Sequence, residues 1–293
     1  MGQVLRDRVR NLHRPNRREF LQSAGAAAIA ALVLDMTAID RHNVVVEQCT
    51  LRIRRLPAAF HGLRIAQISD FHHHGYAEDY YLRQVVEKVN ALQPAVVAMT
   101  GDFITAHGNP FGPWRKAMPV CAEILSGLRA PLRVCSLGNH DCIDIAFVTH
   151  CLTERGLTVL RNSYTAIEAA NERLWIAGLA DAYFDFPDLE QAIPRATERE
   201  PVLLLGHEPD FADTVKAYGG VDVMLAGHSH GGQVRVPGIT PAFLPVMGRR
   251  YVRGLFQLDD LQLYVNRGIG AVHLPIRFRC PPEITLFTLE PAA

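Results

Sequence analysis

Short apolar runs alternate with longer polar or amphipathic segments from about residue 43 to the end of the chain. Six runs of four to seven residues, rich in Val, Ile and Leu, lie at 63–69, 95–100, 132–137, 174–179, 202–205 and 221–226. Such runs are typical of strands buried on both faces. Between the first two, residues 80–90 place apolar side chains at helical spacing. We therefore predict an α/β domain that begins with a strand–helix–strand unit and contains parallel strands.

One domain accounts for residues 41–293, because no low-complexity linker or internal repeat interrupts them. The 293 residues are 48% hydrophobic and 20% charged, which is the composition of a globular protein and excludes a disordered or collagen-like chain. The formal net charge is zero, and only three lysines follow residue 40. We therefore expect no nucleic acid partner, because tracking a phosphate backbone needs a basic surface.

Side chains that can bind metals follow five of the predicted strands directly. In chain order these groups are Asp70-Phe71-His72, Gly101-Asp102, Gly138-Asn139-His140-Asp141, Gly206-His207 and Gly227-His228-Ser229-His230. Ligand crevices of α/β folds form at the carboxyl ends of strands, so we expect these groups along one edge of a sheet. Buried carboxylates and imidazoles need partners. A pair of metal ions is the simplest shared partner for all five groups.

The order of these five groups resembles the calcineurin-like metallophosphoesterases, and the resemblance covers residues 60–290. It implies a four-layer α-β-β-α sandwich, with two mixed sheets flanked by helices, whereas the apolar pattern alone supports only an α/β chain. Three later segments, 231–233, 251–254 and 282–284, resemble the branch of bacterial phosphodiesterases exported by the twin-arginine route.

The resemblance also implies two divalent metal ions, with one carboxylate bridging them. The first ion would be held by Asp70, His72, Asp102 and His230, and the second by Asp102, Asn139, His207 and His228. Oxygen and nitrogen donors without a thiolate suit Mn²⁺, Fe or Zn²⁺ better than copper(I) or an iron–sulfur cluster. No ligand position of the family pattern is missing.

The implied chemistry is phosphoester hydrolysis by a metal-bridging hydroxide, with Asp102 and His140 as the catalytic residues. His140 would stabilise the transition state or protonate the leaving alkoxide. The resemblance favours a diester or pyrophosphate over a simple monoester. The alternatives are a UDP-2,3-diacylglucosamine-type pyrophosphatase, which would need a cytoplasmic active site, a phosphomonoesterase, and a non-catalytic binding module, which the complete ligand set disfavours.

Several residues near these groups have two interpretations each. Asp141 orients His140 or caps a helix. Asp181 is a loop carboxylate or supports the site. We expect His73 and His74 to face solvent or substrate rather than metal, and His150 and His273 to be structural or surface residues.

The resemblance leads us to expect a small-molecule or lipid phosphoester as substrate. One hypothesis is that the arginines of the C-terminal part form a rim that binds the anionic substrate. The alternative is that they lie on a solvent-exposed face of the protein. These arginines are Arg249, Arg250, Arg253, Arg267, Arg277 and Arg279. The apolar segment 243–247 either contacts an acyl chain or membrane, or packs in the core.

The first 40 residues have the order of a bacterial export signal. Six arginines precede residue 34 against two acidic residues, and Arg17-Arg18 is followed by Phe20-Leu21 and the apolar stretch 24–34. The paired arginines resemble a twin-arginine signal, which implies the twin-arginine translocase as partner and a periplasmic or extracytoplasmic location. The eleven apolar residues are fewer than the ~20 that span a bilayer, so a permanent anchor is disfavoured. Cleavage after Ala28-Ile29-Ala30 and an uncleaved, membrane-associated signal both stay open.

Overall fold

The computed structural model is a four-layer sandwich, in which two six-stranded sheets pack face to face and helices cover both outer faces. It describes residues 16–73, 77–106, 108–109, 111–195, 200–238, 240 and 244–292. The predicted fold class, with two mixed sheets flanked by helices, is confirmed.

The first sheet has the order β1-β12-β2-β3-β4-β5 and the second β10-β11-β9-β8-β7-β6. The strands are β1 Val45–Ile53, β2 Arg64–Ile68, β3 Val96–Thr100, β4 Leu132–Ser136, β5 Thr158–Val159, β6 Ser163–Ala169, β7 Glu172–Gly178, β8 Val202–Leu205, β9 Val223–Ala226, β10 Gly254–Leu258, β11 Leu261–Val265 and β12 Glu283–Pro291. Strands β2 to β5 are parallel, as are β7, β8, β9 and β11, and the antiparallel pairs are β12–β2, β6–β7 and β10–β11.

Helices of the described residues fall into two covering layers and one N-terminal segment. They are α1 Arg17–Leu34, α2 Asp79–Ala91, α3 Trp114–Leu125, α4 Ile145–Glu154, α5 Leu189–Ala192 and α6 Ala212–Tyr218. Helices α2, α3 and α4 pack on the first sheet, and α5 and α6 pack on the second. The helix predicted at residues 80–90 is α2, whose apolar side chains are buried.

The interior strands are apolar on both faces because each face meets a different core. In β3, Val97 and Met99 point into the core between the first sheet and its helices. Val96 and Ala98 point into the core between the two sheets. Successive side chains of a strand alternate between faces, so a strand with two covered faces is a continuous apolar run.

The N-terminal helix is longer than the apolar stretch suggested. Helix α1 continues through a π-helical turn at Asp35–Ile39, so the apolar helix spans 23 residues, and it is exposed. At 1.5 Å per residue its length is about 35 Å, which is enough to cross a bilayer core of ~30 Å. A signal sequence fits the same description. The length of the apolar stretch therefore does not decide between a permanent membrane anchor and an export signal. The helix ends against the folded domain, where Arg277 N donates to Met36 O over 3.0 Å.

A buried arginine holds the loop that follows β11. The Arg277 guanidinium is fully buried and donates to the carbonyl oxygens of Arg267 at 2.9 Å, Gly268 at 3.2 Å, Gly270 at 3.0 Å and Cys280 at 3.0 Å. No carboxylate of the described residues pairs with it, so carbonyl dipoles compensate its charge. The same loop packs on the end of β2, where Gly270 N donates to Asp70 O over 2.7 Å.

We predict that Arg277→Met lowers the free energy of unfolding by about 3 kcal/mol or more, because several buried carbonyls lose their donor. Urea unfolding measures this change. The control is Arg83→Met on the exposed face of α2, which should change the free energy by less than about 0.5 kcal/mol. Equal stability of the two variants would contradict the assigned role of Arg277.

Candidate metal centre

The structure brings together all seven side chains that the sequence predicts as metal ligands. They lie at the carboxyl ends of β2, β3, β4, β8 and β9, and they are Asp70, His72, Asp102, Asn139, His207, His228 and His230. The carboxylates and imidazoles form overlapping groups whose donor atoms lie within 4.8 Å of one another. Strands of both sheets contribute, so the edge expected from one sheet is shared by two.

The first group consists of Asp70, His72 and His230. His72 Nε2 lies 3.0 Å from His230 Nε2, and His230 Nε2 lies 3.5 Å from Asp70 Oδ1. Burial lowers the pKa of His72 to about 3 and holds the pKa of His230 well below its usual value. Both rings are therefore neutral, which is the state in which imidazole binds metal.

The second group consists of Asp102, His207 and His228, with Asn139 beside them. Asn139 Oδ1 lies 3.2 Å from His207 Nε2 and 3.0 Å from His228 Nδ1. Asp102 Oδ2 lies 3.2 Å from His207 Nε2 and 3.5 Å from His72 Nε2 of the first group. One carboxylate oxygen thus stands between the two groups.

Backbone carbonyls orient the rings of the second group. His207 Nδ1 lies 2.6 Å from Thr100 O, and His228 Nε2 lies 2.8 Å from Val246 O. Each carbonyl accepts a hydrogen bond from one ring N–H, which turns the other ring nitrogen toward the cluster. Metal-binding histidines are held in this way, with one nitrogen on a carbonyl or carboxylate.

The oxygen atoms around His207 fit a cation. Its Nδ1 faces a carbonyl, and its Nε2 faces the oxygens of Asp102 and Asn139, so both nitrogens donate when no metal is bound. Burial alone would lower the pKa of His207, but the Asp102 carboxylate overrides burial and raises it well above the usual value. A cation in place of the Nε2 proton would meet the same oxygens.

The backbone is left-handed at five of the seven predicted ligands. Asp70, His72, Asp102, His228 and His230 have φ angles between 45° and 67°. Residues other than glycine rarely adopt such angles. Each such residue costs of order 1–3 kcal/mol, and residues of this kind cluster at functional sites. The backbone therefore carries strain where it aims the candidate ligands.

Two glycines allow the strand ends to approach each other. A Cβ atom at Gly227 would overlap Ser69 Oγ and Asp70 Oδ2, and one at Gly138 would overlap Asp102 Oδ1. The carboxylates therefore occupy the space that a side chain would fill. Gly138 and Gly227 are therefore required by close packing.

Asp141 matches neither of its two interpretations. Its buried carboxylate accepts the backbone N–H groups of Asp102 at 2.8 Å, Gly138 at 2.9 Å and Phe103 at 3.0 Å. It therefore joins the loop after β3 to the loop after β4. It does not orient the His140 ring, whose Nδ1 lies 2.8 Å from Ala106 O.

His140 lies beside the first group. Its ring is half-buried and edge-on to His72, with ring centroids 4.9 Å apart, and its backbone N–H donates to Asp102 Oδ1 over 2.9 Å. The ring lines a cavity that opens from the candidate ligands. His140 is therefore placed next to the space where a substrate would lie.

The cavity has a volume of about 670 Å³, a polar end and mainly apolar walls. The polar end contains Asp102, Asn139, His140, His228 and His230, and the apolar walls contain Tyr183, Phe184, Leu244, Pro245, Val246 and Leu274. Sequence reasoning missed the aromatic pair, although two adjacent aromatic residues in a loop are a signal that could have found it. The described part of the segment 243–247 thus lines the cavity at residues 244–246.

Four histidines outside the ligand set have different surroundings. The expectation that His73 faces solvent or substrate is wrong, because it is buried and its Nε2 lies 2.9 Å from Asp79 Oδ1. His74 lies outside the described residues. His150 is an exposed residue 3.4 Å from Glu154, and His273 is exposed at the rim of the cavity.

None of the six C-terminal arginines is among the described residues that line this cavity. Arg277 is buried on backbone carbonyls, Arg267 pairs with Glu283, and Arg250 pairs with Asp213. The arginine-rim hypothesis therefore fails at this cavity. The described cavity wall contains no lysine either.

Comparison with known proteins agrees with this geometry. The model of the family described as calcineurin-like phosphoesterase matches residues 63–232, which include all seven predicted ligands and His140. The chain therefore belongs to the calcineurin-like phosphoesterase family, and it is a metal-dependent phosphoester hydrolase.

Curated relatives have the same class of activity in their names. The chain is 34% identical to the metallophosphoesterase YkuE of Bacillus subtilis, over 94% of this chain and 98% of YkuE. It is 28% identical to the phosphodiesterase YaeI of Escherichia coli, over 77% of this chain and 82% of YaeI. It is 30% identical to the UDP-2,3-diacylglucosamine pyrophosphatase LpxG of Chlamydia muridarum, over 79% of this chain and 86% of LpxG.

We predict that Gly227→Ala lowers metal content by more than half, because the new methyl group displaces Asp70. Overpacking should also lower the free energy of unfolding by about 1–3 kcal/mol. Elemental analysis of the purified protein and urea unfolding measure these changes. Gly206→Ala is the matched control, since its methyl group would meet only the flexible end of Met224 at 2.7 Å. Wild-type metal content in Gly227→Ala would refute this account.

We predict that His207 carries protons on both nitrogens at pH 7 in the metal-free protein and loses one when Zn²⁺ binds. Its pKa is raised, so the doubly protonated state persists above the usual histidine pKa and disappears only as the pH rises further. Imidazole ¹⁵N chemical shifts report this state, and a His207→Gln spectrum assigns the resonance. A singly protonated His207 before metal addition would contradict the prediction.

Proposed function

We propose that this enzyme hydrolyses phosphodiesters with two divalent metal ions. Asp102 Oδ2, which lies 3.2 Å from His207 Nε2 and 3.5 Å from His72 Nε2, is the observation that carries the proposal. Two bound ions would lower the pKa of water and neutralise charge on the phosphoryl oxygens.

Each ion would have four protein ligands, with Asp102 shared between them. The first would be held by Asp70, His72, Asp102 and His230, and the second by Asp102, Asn139, His207 and His228. All donor atoms are oxygen or nitrogen, which supports Mn²⁺, Fe or Zn²⁺ as the metals. Because burial keeps His72 and His228 neutral, with pKa values of about 3 and about 4, these rings are ready to bind above mildly acidic pH.

His140 is the proposed proton donor to the leaving oxygen. Its Nδ1 is engaged with Ala106 O at 2.8 Å, so the proton that reaches the substrate has to come from Nε2. The contact with Ala106 and the backbone bond to Asp102 hold the ring beside the first group. General acid catalysis of this kind contributes typically 10²–10⁴-fold to the rate.

The walls of the cavity favour a diester over the alternatives. A phosphomonoester dianion or a pyrophosphate carries more negative charge than a diester, and among the described cavity residues no lysine or arginine would add to the compensation that the two ions supply. A diester carries one negative charge, at the metal-binding end. The chain is about equally similar to the phosphodiesterase YaeI and to the pyrophosphatase LpxG, so the choice between a diester and a pyrophosphate rests on the cavity walls. A non-catalytic binding module is disfavoured because every predicted ligand position is filled.

We further propose that residues 1–40 are a twin-arginine export signal and that residues 41–293 form the phosphoesterase domain. The exposed apolar helix after Arg17-Arg18 supports this division, as does the first ion pair of the folded domain, Arg41 with Glu78 at 2.6 Å. The twin-arginine translocase would be the partner during export. The enzyme would then act outside the cytoplasm and associate peripherally with the membrane where the signal is retained.

We predict that the full chain, loaded with Mn²⁺ or Zn²⁺, contains about two metals and hydrolyses bis(p-nitrophenyl) phosphate faster than p-nitrophenyl phosphate. Asp102→Ala should lose metal and activity together, because it removes the shared ligand. His140→Ala should keep its metal and lower kcat by about 10²–10⁴-fold. Elemental analysis and steady-state kinetics measure these quantities.

The surface variant His150→Ala is the matched control for His140→Ala and should retain wild-type kcat. Two outcomes would contradict the proposal. Hydrolysis of the monoester alone would make the enzyme a phosphatase, and one metal per chain with full activity would exclude the binuclear centre.

A further inference from the structure

The apolar walls of the cavity come from three loops that are distant in sequence. Residues 183–184 follow β7, residues 244–246 precede β10, and residues 272–274 follow β11. Among their side chains Phe184 is 62% exposed, Val246 51% and Leu274 48%. Single exposed apolar residues are ordinary, but a cluster around one cavity marks a binding surface.

Buried polar groups hold each of these walls in place. Asp181 is 1% exposed, and its carboxylate accepts the backbone N–H groups of Tyr183 at 3.0 Å and Phe184 at 2.6 Å. The side chain of Gln233 donates to Val272 O at 2.9 Å and to Leu274 O at 3.1 Å. The apolar surface is therefore preformed, which reduces the ordering cost of binding.

The third wall is tied directly to a candidate metal ligand. Val246 O accepts a hydrogen bond from the Nε2–H of His228, and the Nδ1 of the same ring faces Asn139. The same cavity is lined by His228 and by the apolar residues. A phosphoester whose phosphorus lies over the candidate ligands can therefore place one of its ester groups against the apolar walls.

The polar side chains along the described part of these walls are few, and they are Tyr183, Gln233 and the exposed His273 at the rim. No lysine or arginine is among the described cavity residues, and the nearby Arg235 guanidinium donates to Gly231 O over 3.0 Å. The Gln233 side chain is occupied by the loop that it holds. The chemistry of the walls is that of a hydrocarbon site.

We propose that the loops at residues 183–184, 244–246 and 272–274 bind the hydrocarbon chain of an amphiphilic phosphodiester, so that the substrate is lipid-like. This inference rests on the proposed phosphodiesterase activity and names its substrate class. The hydrocarbon chain is part of the substrate itself, whose phosphorus would lie at the candidate ligands while the hydrocarbon lies along the apolar walls.

The position of the N-terminal helix agrees with a substrate drawn from a membrane. The loop that carries Leu274 continues to Arg277, whose backbone N–H bonds Met36 O at the end of the apolar helix. One loop therefore joins the rim of the cavity to the segment long and apolar enough to enter a bilayer. If the helix lies in the membrane, the cavity lies close to its surface.

The test uses the metal-loaded full chain and a series of alkyl p-nitrophenyl phosphates with methyl, butyl, hexyl and octyl groups, each below its micelle concentration. All release the same p-nitrophenolate, so the series varies only the hydrocarbon chain. We expect kcat/KM to rise at least tenfold from methyl to octyl, since one fully buried methylene contributes up to about fourfold. A flat profile would overturn the proposal.

Variants show whether this cavity is responsible. Phe184→Ala and Leu274→Asn should lower kcat/KM for the octyl ester more than for the methyl ester, and so reduce the octyl-to-methyl ratio. The matched control is Phe186→Ala, an aromatic residue that is 84% exposed and does not line the cavity, and its ratio should equal that of the wild type. Thermal unfolding verifies that each variant is folded. An unchanged ratio in folded Phe184→Ala and Leu274→Asn would overturn the assignment.

A binding measurement separates this inference from the proposed activity. Calorimetry compares octyl phosphate with methyl phosphate, and burial of the chain should give tighter binding and a more negative heat capacity change. One outcome separates the two proposals: no diester is hydrolysed, but octyl phosphate binds at least tenfold more tightly than methyl phosphate and Phe184→Ala removes this difference. The proposed phosphodiesterase activity would then fail, while the hydrocarbon site formed by the three loops would stand. Equal binding of the two phosphates would overturn the chain site.

Discussion

The fold around the candidate metal centre depends on one buried carboxylate. Asp102 is 2% exposed and stands between imidazoles from both groups of candidate ligands. A buried carboxylate is costly unless it is paired and hydrogen-bonded. Its compensation comes from His207 and from the backbone N–H of His140. These partners reach it only because glycines let the strand ends close together, and left-handed residues turn the ligands inward.

Convergence of two sheets on this carboxylate links ligand binding to the packing of the sandwich. Asp70, His72 and Asn139 follow strands of the first sheet, whereas His207, His228 and His230 follow strands of the second. Each proposed ion would therefore take ligands from both sheets. A ligand that binds only the folded state stabilises it by mass action, so an ion in either position would hold the two sheets together.

The sequence predicts the interior of this protein better than its surface. Strand β3 is recognisable because both faces are buried, and the ligands are recognisable because glycine and polar residues follow such strands. The edge strand β10 was missed because its residues are only partly buried, so no continuous apolar run marks it. The buried strands β11 and β12 were missed as well, because polar residues such as Gln262 and Thr285 interrupt their apolar runs. The sequence also does not reveal where a side chain points after a residue with left-handed backbone. His73 follows the left-handed His72, and the prediction that it faces solvent or substrate is wrong because it packs inside. Of the apolar cavity walls, the sequence offers only the segment that contains Val246, as one of two interpretations. Leu274 was missed because an isolated apolar residue in a loop forms no pattern.

Arg277 shows how one buried charge serves both halves of the site. Burial is the main cause of the low pKa of His72 and His230, and the positive charge of Arg277 lowers both further. A cation at this position therefore favours neutral rings that can bind metal. The same guanidinium donates to the carbonyl oxygens of Gly268 and Gly270 in the loop that carries Leu274, and the backbone N–H of Gly270 donates to Asp70 O. Arg277 therefore ties one of the three cavity loops to the strand end that carries Asp70, and carbonyl oxygens compensate its charge in place of a carboxylate.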